Sequence, residues 1–117
     1  MLNIENFEIY LHRQPVDFRK AINTLSILVQ EEMRHNPFEK ALFVFCNKRR
    51  NGIKILYWDN TGFALWYKRL EKDKFPWPFH VEEDEIRIES GRLRLLLDGY
   101  NIFKMKPHKK LKYETVL

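Results

Sequence analysis

Eight lysines and arginines gather in the middle of the chain, where their chemistry suits phosphate binding. They lie between residues 47 and 74 beside three acidic residues, so this segment has a net charge of +5. Guanidinium and ammonium groups neutralise phosphates and release counterions. Charge kept for solubility is the alternative interpretation. With two upstream cations, the candidate nucleic-acid-binding residues are Arg19, Lys20, Lys48, Arg49, Arg50, Lys54, Lys68, Arg69, Lys72 and Lys74.

Three tryptophans are the candidate protein-interface residues. Trp58 and Trp66 lie on predicted strands, and Trp77 lies between two prolines. An exposed aromatic sheet face can stack on bases or dock a protein, and interfaces are enriched in Trp, Tyr and Arg. Protein contact is therefore the favoured role. The predicted packing face of the sheet consists of Ile53, Ile55, Tyr57, Phe63, Leu65 and Tyr67, which leaves Trp58, Trp66 and Lys68 on the other face.

Residues for enzyme chemistry are poorly placed. Asp59 and Asp98 occupy turn-like positions where Asp is common, and the three central strands carry no carboxylate internally. The four histidines lack metal-ligand spacing, and Cys46 ends an apolar run like a small buried hydrophobe. There is no glycine-rich phosphate loop or nucleophile motif. We therefore predict a protein that is not an enzyme and uses no cofactor or metal; a small nuclease is the remote alternative.

The elements that must position these residues follow from periodicity. Phe7–Leu11 predicts a short strand. Asp17 is a candidate N-cap for a helix to about Arg34, because apolar residues recur every three or four positions between them. The runs Ala41–Cys46, Ile53–Trp58 and Phe63–Leu70 predict three strands.

The residues in the predicted turns then indicate the fold class. The first connection between these strands ends in Asn-Gly, and the second is Asp59–Gly62, both typical of hairpins. Ile86–Glu89 predicts a further short strand, and Ser90–Leu97 a short helix with Gly99 as its stop. The predicted fold is α+β: an antiparallel β-meander of three to five strands, with one long helix packed on one face and a short C-terminal helix.

Length and composition set the domain organisation and compartment. The chain has 117 residues, enough for one core. We predict a single α+β domain over residues 1–103 and a basic, flexible tail over residues 104–117. A single cysteine indicates a reducing compartment, and neither a signal peptide nor a membrane span is recognisable. The predicted location is the cytoplasm.

The stretch Ala41–Pro78 closely resembles a known family. It contains an Asn-Lys-Arg-Arg turn, then Lys-Ile-Leu-Tyr-Trp-Asp, then Trp-Tyr-Lys-Arg-Leu-Glu and a closing Phe-x-Trp-Pro. This pattern is similar to the TnpB-like accessory protein encoded by the second open reading frame of the insertion sequence sixty-six family. Val16–Lys20 and Leu96–Gly99 match further elements of that family, so the resemblance spans about residues 9–100. Asp73 departs from it, standing where glycine is frequent.

The resemblance implies an accessory factor of bacterial DNA transposition that acts beside a separate DDE-type transposase. Its implied partners are transposon-end DNA, the element's transposase and other accessory protein, and a second copy of the chain, with no membrane partner. Two hypotheses follow. In the first, basic hairpin turns bind nucleic acid. In the second, the tryptophan-bearing sheet face and the acidic block at residues 82–85 dock the transposase without direct DNA contact.

Overall fold

Five strands form one sheet that carries a helix on each face. The computed structural model describes residues 3–104. The strands are β1 (Glu8–His12), β2 (Ala41–Cys46), β3 (Gly52–Asp59), β4 (Gly62–Arg69) and β5 (Glu85–Ile88), and the helices are α1 (Ile22–Glu31) and α2 (Ser90–Leu97). The predicted α+β class, the three central strands and the short C-terminal helix are confirmed.

The sheet is mixed, so the prediction of a purely antiparallel meander is wrong. The strand order is β4-β3-β2-β1-β5. β1 runs parallel to β2, with Ile9 opposite Leu42, whereas all other neighbouring strands are antiparallel. The physical reason is that α1 connects β1 to β2. A strand–helix–strand connection returns the chain to the same end of the sheet, so the two strands it joins run in the same direction.

Helix α1 is shorter at both ends than the predicted helix from Asp17 to Arg34. Residues 17–20 instead form a turn in which the Asp17 carboxylate accepts the backbone N–H of Arg19 at 2.9 Å. The N-cap is Ala21, without a side-chain cap. At the other end Arg34 adopts a φ of 57°, a left-handed conformation that does not continue a helix.

The two sheet faces bury separate clusters of apolar side chains. Leu25 and Val29 of α1 pack on Phe43 and Phe45, which lie on one face of β2. On the other face of the sheet, α2 and the segment around Phe75 cover the alternate residues of the strands. β2 is buried at all six positions because it lies at the centre of the sheet with a helix on each side.

The β3–β4 hairpin corrects the predicted faces of the sheet. Its turn is only Asn60–Thr61, closed by the Asp59–Gly62 pair. This register places odd-numbered residues of β3 beside even-numbered residues of β4. Trp66 therefore pairs with Ile55 on the α2 face, and Trp58 pairs with Phe63 on the α1 face. The two tryptophans lie on opposite faces, so the prediction that they share one is wrong.

The C-terminal part of the described chain follows the sequence closely. Helix α2 has its predicted bounds, and its N-cap is Glu89. Gly99 ends the following turn with a φ of 97°. Residues 105–117 of the predicted tail lie outside the described residues, and the domain division stays a prediction. Neither helix within residues 3–104 has the length and apolar character that a bilayer span requires.

Candidate nucleic-acid interface

A groove at one end of the sheet brings together cations that are thirty residues apart in the sequence. It lies between the segment Pro15–Arg19 and the turn Asn47–Arg49, and encloses about 790 Å³. Two contacts hold these walls together. The backbone N–H of Val16 donates to Cys46 at 2.9 Å, and the Lys54 ammonium donates to the carbonyl of Phe18 at 2.7 Å. We call this feature the basic groove.

The turn between β2 and β3 owes its shape to asparagine. The Asn47 side chain accepts the backbone N–H of Gly52 at 3.1 Å and donates to the Asn51 side chain at 2.6 Å. Arg50 takes the left-handed conformation, with a φ of 60°. Because these bonds are made by asparagine and backbone, the side chains of Lys48 and Arg49 stay exposed.

Gly52 lets the upstream segment approach the hairpin. A Cβ at this position would lie 2.9 Å from a ring carbon of Phe18 and 3.1 Å from one of Tyr67. The Phe18 and Tyr67 rings themselves meet edge to face, with centroids 5.7 Å apart. The absence of a side chain at Gly52 therefore allows Phe18 to pack on the hairpin and fixes one wall of the basic groove.

The loop after β4 adds further cations at the same end of the sheet. Leu70 donates its backbone N–H to Asn51 at 2.7 Å, and Phe75 donates to Arg50 at 2.6 Å. The Phe75 side chain is fully buried. These bonds anchor the loop that carries Lys72 and Lys74, both of which are exposed.

The charges at this end are unevenly paired. Eight lysines and arginines from residues 15–20, 47–52 and 69–74 stand against Asp17, Glu71 and Asp73. Arg19 binds Asp17 at 2.6 Å, and Arg69 binds Glu71 at 3.2 Å. The hydrogen bonds from Arg19 lower the pKa of the Asp17 carboxyl to about 2. Within residues 3–104, no carboxylate pairs with the exposed cations Lys20, Lys48, Arg49, Lys72 and Lys74.

Two of the ten candidate cations have internal roles. The Lys54 ammonium, besides its bond to Phe18, lies 4.9 Å from the centroid of the Phe18 ring and 5.5 Å from that of Tyr67. The Lys68 ammonium donates to the carbonyl of Leu97 at 2.8 Å, at the C-terminal end of α2. A cation there also complements the helix dipole. Both lysines join separate elements, and we leave them out of the phosphate-binding set proposed below.

The three tryptophans have three different environments. Trp58 is half-buried in an aromatic cluster with Phe63 and Phe38, and Phe38 is 55% exposed. Trp66 packs toward α2. Trp77 is only 5% exposed, and its indole N–H donates to the carbonyls of His12 and Arg13 at 3.2 and 3.1 Å. A surface role for Trp77 does not fit this geometry.

Sequence reasoning missed the apolar wall of the basic groove. The apolar spacing predicts Phe18 in a helix, and no local signal places Val16 or Phe18 beside a turn thirty residues later. Sequence reasoning also missed His35, whose ring nitrogens lie 2.8 Å from Glu39 and 2.7 Å from Glu85. Burial lowers the pKa of His35, but the two carboxylates outweigh it and raise the pKa overall. This contact links the segment after α1 to β5.

The described residues offer little support for nucleophilic or metal-ion chemistry. Cys46 is buried, and desolvation raises the pKa of its thiol to about 12, so the thiolate nucleophile is scarce at neutral pH. Residues 3–104 hold no group of three or more His, Cys, Asp or Glu side chains arranged to bind a metal ion.

The fold and the groove define a small α+β protein whose mixed sheet has a cationic end. The chain belongs to the family of IS66 Orf2-like proteins, whose model matches residues 7–107. That family is one of transposition accessory proteins and not a known enzyme family, and its context is the IS66 transposition machinery.

Two relatives come from Sinorhizobium fredii. The uncharacterised protein y4jC is 35% identical over 93 residues, which cover 80% of this chain and 79% of the relative. The uncharacterised protein y4hO is 32% identical over 95 residues, covering 81% of this chain and 82% of the relative. No solved structure matches the chain.

Proposed function

We propose that this protein is a non-catalytic accessory factor of transposition that binds nucleic acid through the basic groove. The observation that carries the proposal is the convergence of three cation-bearing segments at one end of the sheet. The proposed contact residues are Arg19, Lys20, Lys48, Arg49, Arg50, Arg69, Lys72 and Lys74.

The composition of the groove suits a phosphate backbone. Phosphates attract exposed ammonium and guanidinium groups, and the energy gained comes largely from released counterions. The apolar wall formed by Val16 and Phe18 offers a surface for sugars or bases between those charges. We infer that the DNA is the end of the transposable element, and that the protein assists a separate transposase in the cytoplasm.

Salt dependence tests the proposal directly. Binding of the full chain to duplex and single-stranded oligonucleotides would be measured over a range of salt concentrations. For duplex DNA the logarithm of the binding constant is expected to fall with the logarithm of salt, with a slope of about −0.9 for each phosphate contacted. No measurable binding at low salt, or binding that does not respond to salt, would contradict direct contact.

Asp17→Asn is expected to strengthen nucleic-acid binding. Asparagine can still accept the backbone N–H of Arg19, but it removes the negative charge that pairs with the Arg19 guanidinium. The freed guanidinium can reach a phosphate, which should steepen the salt slope by up to about 0.9. Glu8→Gln is the matched control, because Glu8 pairs with Arg87 away from the basic groove. Equal effects of the two changes would argue against a local role for Asp17.

A second candidate function is docking of the transposase, and the exposed aromatic cluster favours it. Phe38, Trp58 and Phe63 present apolar surface beside the β3–β4 turn, at the opposite end of the sheet from the basic groove. Aromatic clusters of this kind are enriched at protein interfaces. This hypothesis now rests on Trp58, since Trp66 lies on the other face.

Trp58→Ala discriminates between the two functions. If the cluster docks the transposase, co-purification of the two proteins after nuclease treatment should fall several-fold with Trp58→Ala, because hot-spot residues contribute about 2 kcal/mol or more. Ile27→Ala is the control, since Ile27 is an exposed apolar residue on the outer side of α1. Co-purification that disappears with nuclease alone would instead support the nucleic-acid function.

A further inference from the structure

The outer edge of β4 is a long strand edge with apolar side chains. β4 is the last strand in the sheet order, and among residues 3–104 its one neighbouring strand is β3. The other edge strand, β5, has four residues and is flanked by the Arg87–Glu8 and His35–Glu85 ion pairs. β4 has eight residues, and the five from Phe63 to Tyr67 carry no charge. Proteins normally shorten, charge or cover such an edge, because it is a template for further pairing.

The register shows which backbone groups of β4 point outward. The two-residue turn closes on the Asp59–Gly62 pair, and Leu70 donates its N–H to Asn51 in the same register. In an antiparallel ladder, hydrogen-bonded pairs alternate with pairs that are not bonded. Even-numbered residues of β4 therefore bond to β3. The N–H and C=O groups of Phe63, Leu65 and Tyr67 point away from the sheet.

We propose that this edge pairs with β4 of a second copy of the chain, antiparallel and with Leu65 on the two-fold axis. A two-fold axis perpendicular to the sheet pairs residues whose numbers have the same parity. Centring on Leu65 also matches the outward-facing backbone groups of the two copies. Two five-stranded sheets then form one ten-stranded sheet, which lies within the size range of natural sheets.

Side-chain size is complementary in this register. On the α1 face, Phe63 lies opposite Tyr67 of the second copy, and the two Leu65 side chains meet on the axis. On the α2 face, Trp66 lies opposite Ala64 of the second copy, so a large side chain meets a small one. Aromatic and aliphatic pairs across antiparallel strands are the contacts that stabilise sheets. Centring on Trp66 instead would oppose two tryptophans.

Charge is complementary as well. Lys68 lies opposite Gly62 of the second copy, and a Cβ at Gly62 would meet nothing within 4 Å. Asp59 pairs with Gly62 in the hairpin and is exposed. The Lys68 ammonium can therefore extend across the glycine toward Asp59 of the second copy. An ammonium has three donors, so its existing bond to Leu97 does not prevent this.

Dimerisation and DNA binding use largely different surfaces, since Arg69, the last residue of β4, is the one proposed DNA-contact residue that lies on the dimer strand. None of the residues that line the basic groove belongs to β4. The proposed dimer therefore leaves the basic groove of each copy open. A test of dimerisation and a test of nucleic-acid binding can give different outcomes.

Light scattering during gel filtration of the full chain, over a roughly hundredfold range of concentration, is expected to show a dimer. Leu65→Lys places two ammonium groups opposite each other and should raise the dimer dissociation constant about tenfold or more. Leu65→Glu should do the same, and an equimolar mixture of the two variants should recover dimers. Ile27→Lys is the matched control, because Ile27 is 54% exposed on the outer side of α1. Circular dichroism checks that each variant is folded.

Leu65→Cys provides an independent test of the dimer if the charged variants fail to fold. Cα atoms opposite each other in a hydrogen-bonded pair lie about 5.5 Å apart, within the range a disulfide spans. Mild oxidation should therefore cross-link this variant, whereas Ile27→Cys should stay unlinked and native Cys46 is buried. A monomer at all concentrations, a dimer that Leu65→Lys does not weaken, or equal cross-linking at positions 65 and 27 would each overturn the proposal.

Discussion

Replacing Lys48, Arg49 and Arg50 together with alanine is expected to reduce DNA affinity by on the order of tenfold to a hundredfold at low salt. These cations lie on a turn whose shape depends on Asn47 and Gly52, so the change should remove charge and leave the fold intact. The salt slope should become shallower by about 0.9 for each phosphate that the variant no longer binds. Fluorescence anisotropy with a labelled duplex measures both quantities.

The control for this variant removes the same charge elsewhere. Arg34, Arg87 and Arg94 are exposed, and Arg87 and Arg94 pair with Glu8 and Glu5 away from the basic groove. Their joint replacement by alanine lowers the net charge equally, so it reports the non-local electrostatic effect. A version with Arg50→Gly removes any strain from the positive φ at that position. If the turn variant and the control bind alike, the turn is not a contact surface.

Local sequence signals predicted the parts of the fold that depend on neighbouring residues. A continuous apolar run placed β2, and alternating apolar residues with turn asparagines placed β3 and β4, all within one position of their observed bounds. The same signals placed the basic turn at Asn47–Gly52. The left-handed residue in that turn, however, is Arg50 and not Asn51 or Gly52. The contacts of Asn47 with Gly52 and Asn51 outweigh the intrinsic preference of asparagine and glycine for that conformation.

The parts that depend on distant residues were not predictable in this way. The apolar spacing that includes Phe18 fits a helix, but Phe18 packs on Gly52 and Tyr67, so the helix starts later. The strand–helix–strand order makes β1 parallel to β2 only if the two strands are neighbours in the sheet, and no local residue pattern specifies that they are. The face of each tryptophan depends on the loop length at Asn60–Thr61, because one residue more or less reverses the pairing of odd and even positions.

The candidate site also has parts that neighbouring residues predict and parts that depend on distant residues. Exposed cations on turns, such as Lys48 and Arg49, were identified by composition alone because a turn leaves its side chains free. The sequence did not distinguish cations on strands that have internal roles from those free to bind a ligand. Lys54 and Lys68 bind carbonyls of residues 36 and 29 positions away in the chain. Trp77 shows the same effect most clearly. It lies between prolines in a segment without regular structure, yet it belongs to the core.

Trp77→Ala is therefore expected to destabilise the whole fold rather than weaken binding to a partner selectively. Removing a buried tryptophan costs about 3–5 kcal/mol, a large share of the roughly 5–15 kcal/mol that stabilises a domain. Trp77→Phe keeps most of the ring but loses the N–H bonds to the carbonyls of His12 and Arg13, and should cost about 1–3 kcal/mol. Trp58→Ala, at the half-exposed aromatic cluster, should cost less than Trp77→Ala.

Urea denaturation at one fixed protein concentration measures these differences, since any association would otherwise shift the midpoint. The expected order of unfolding free energies, from highest to lowest, is wild type, then Trp77→Phe, then Trp77→Ala. A Trp77→Ala protein as stable as wild type would mean that this ring does not pack in the core. Such a result would also weaken the argument that the neighbouring Phe75 is anchored in the core. The burial of Phe75 is what holds Lys72 and Lys74 beside the basic groove. The stability of Trp77→Ala thus bears on the site as well as on the fold.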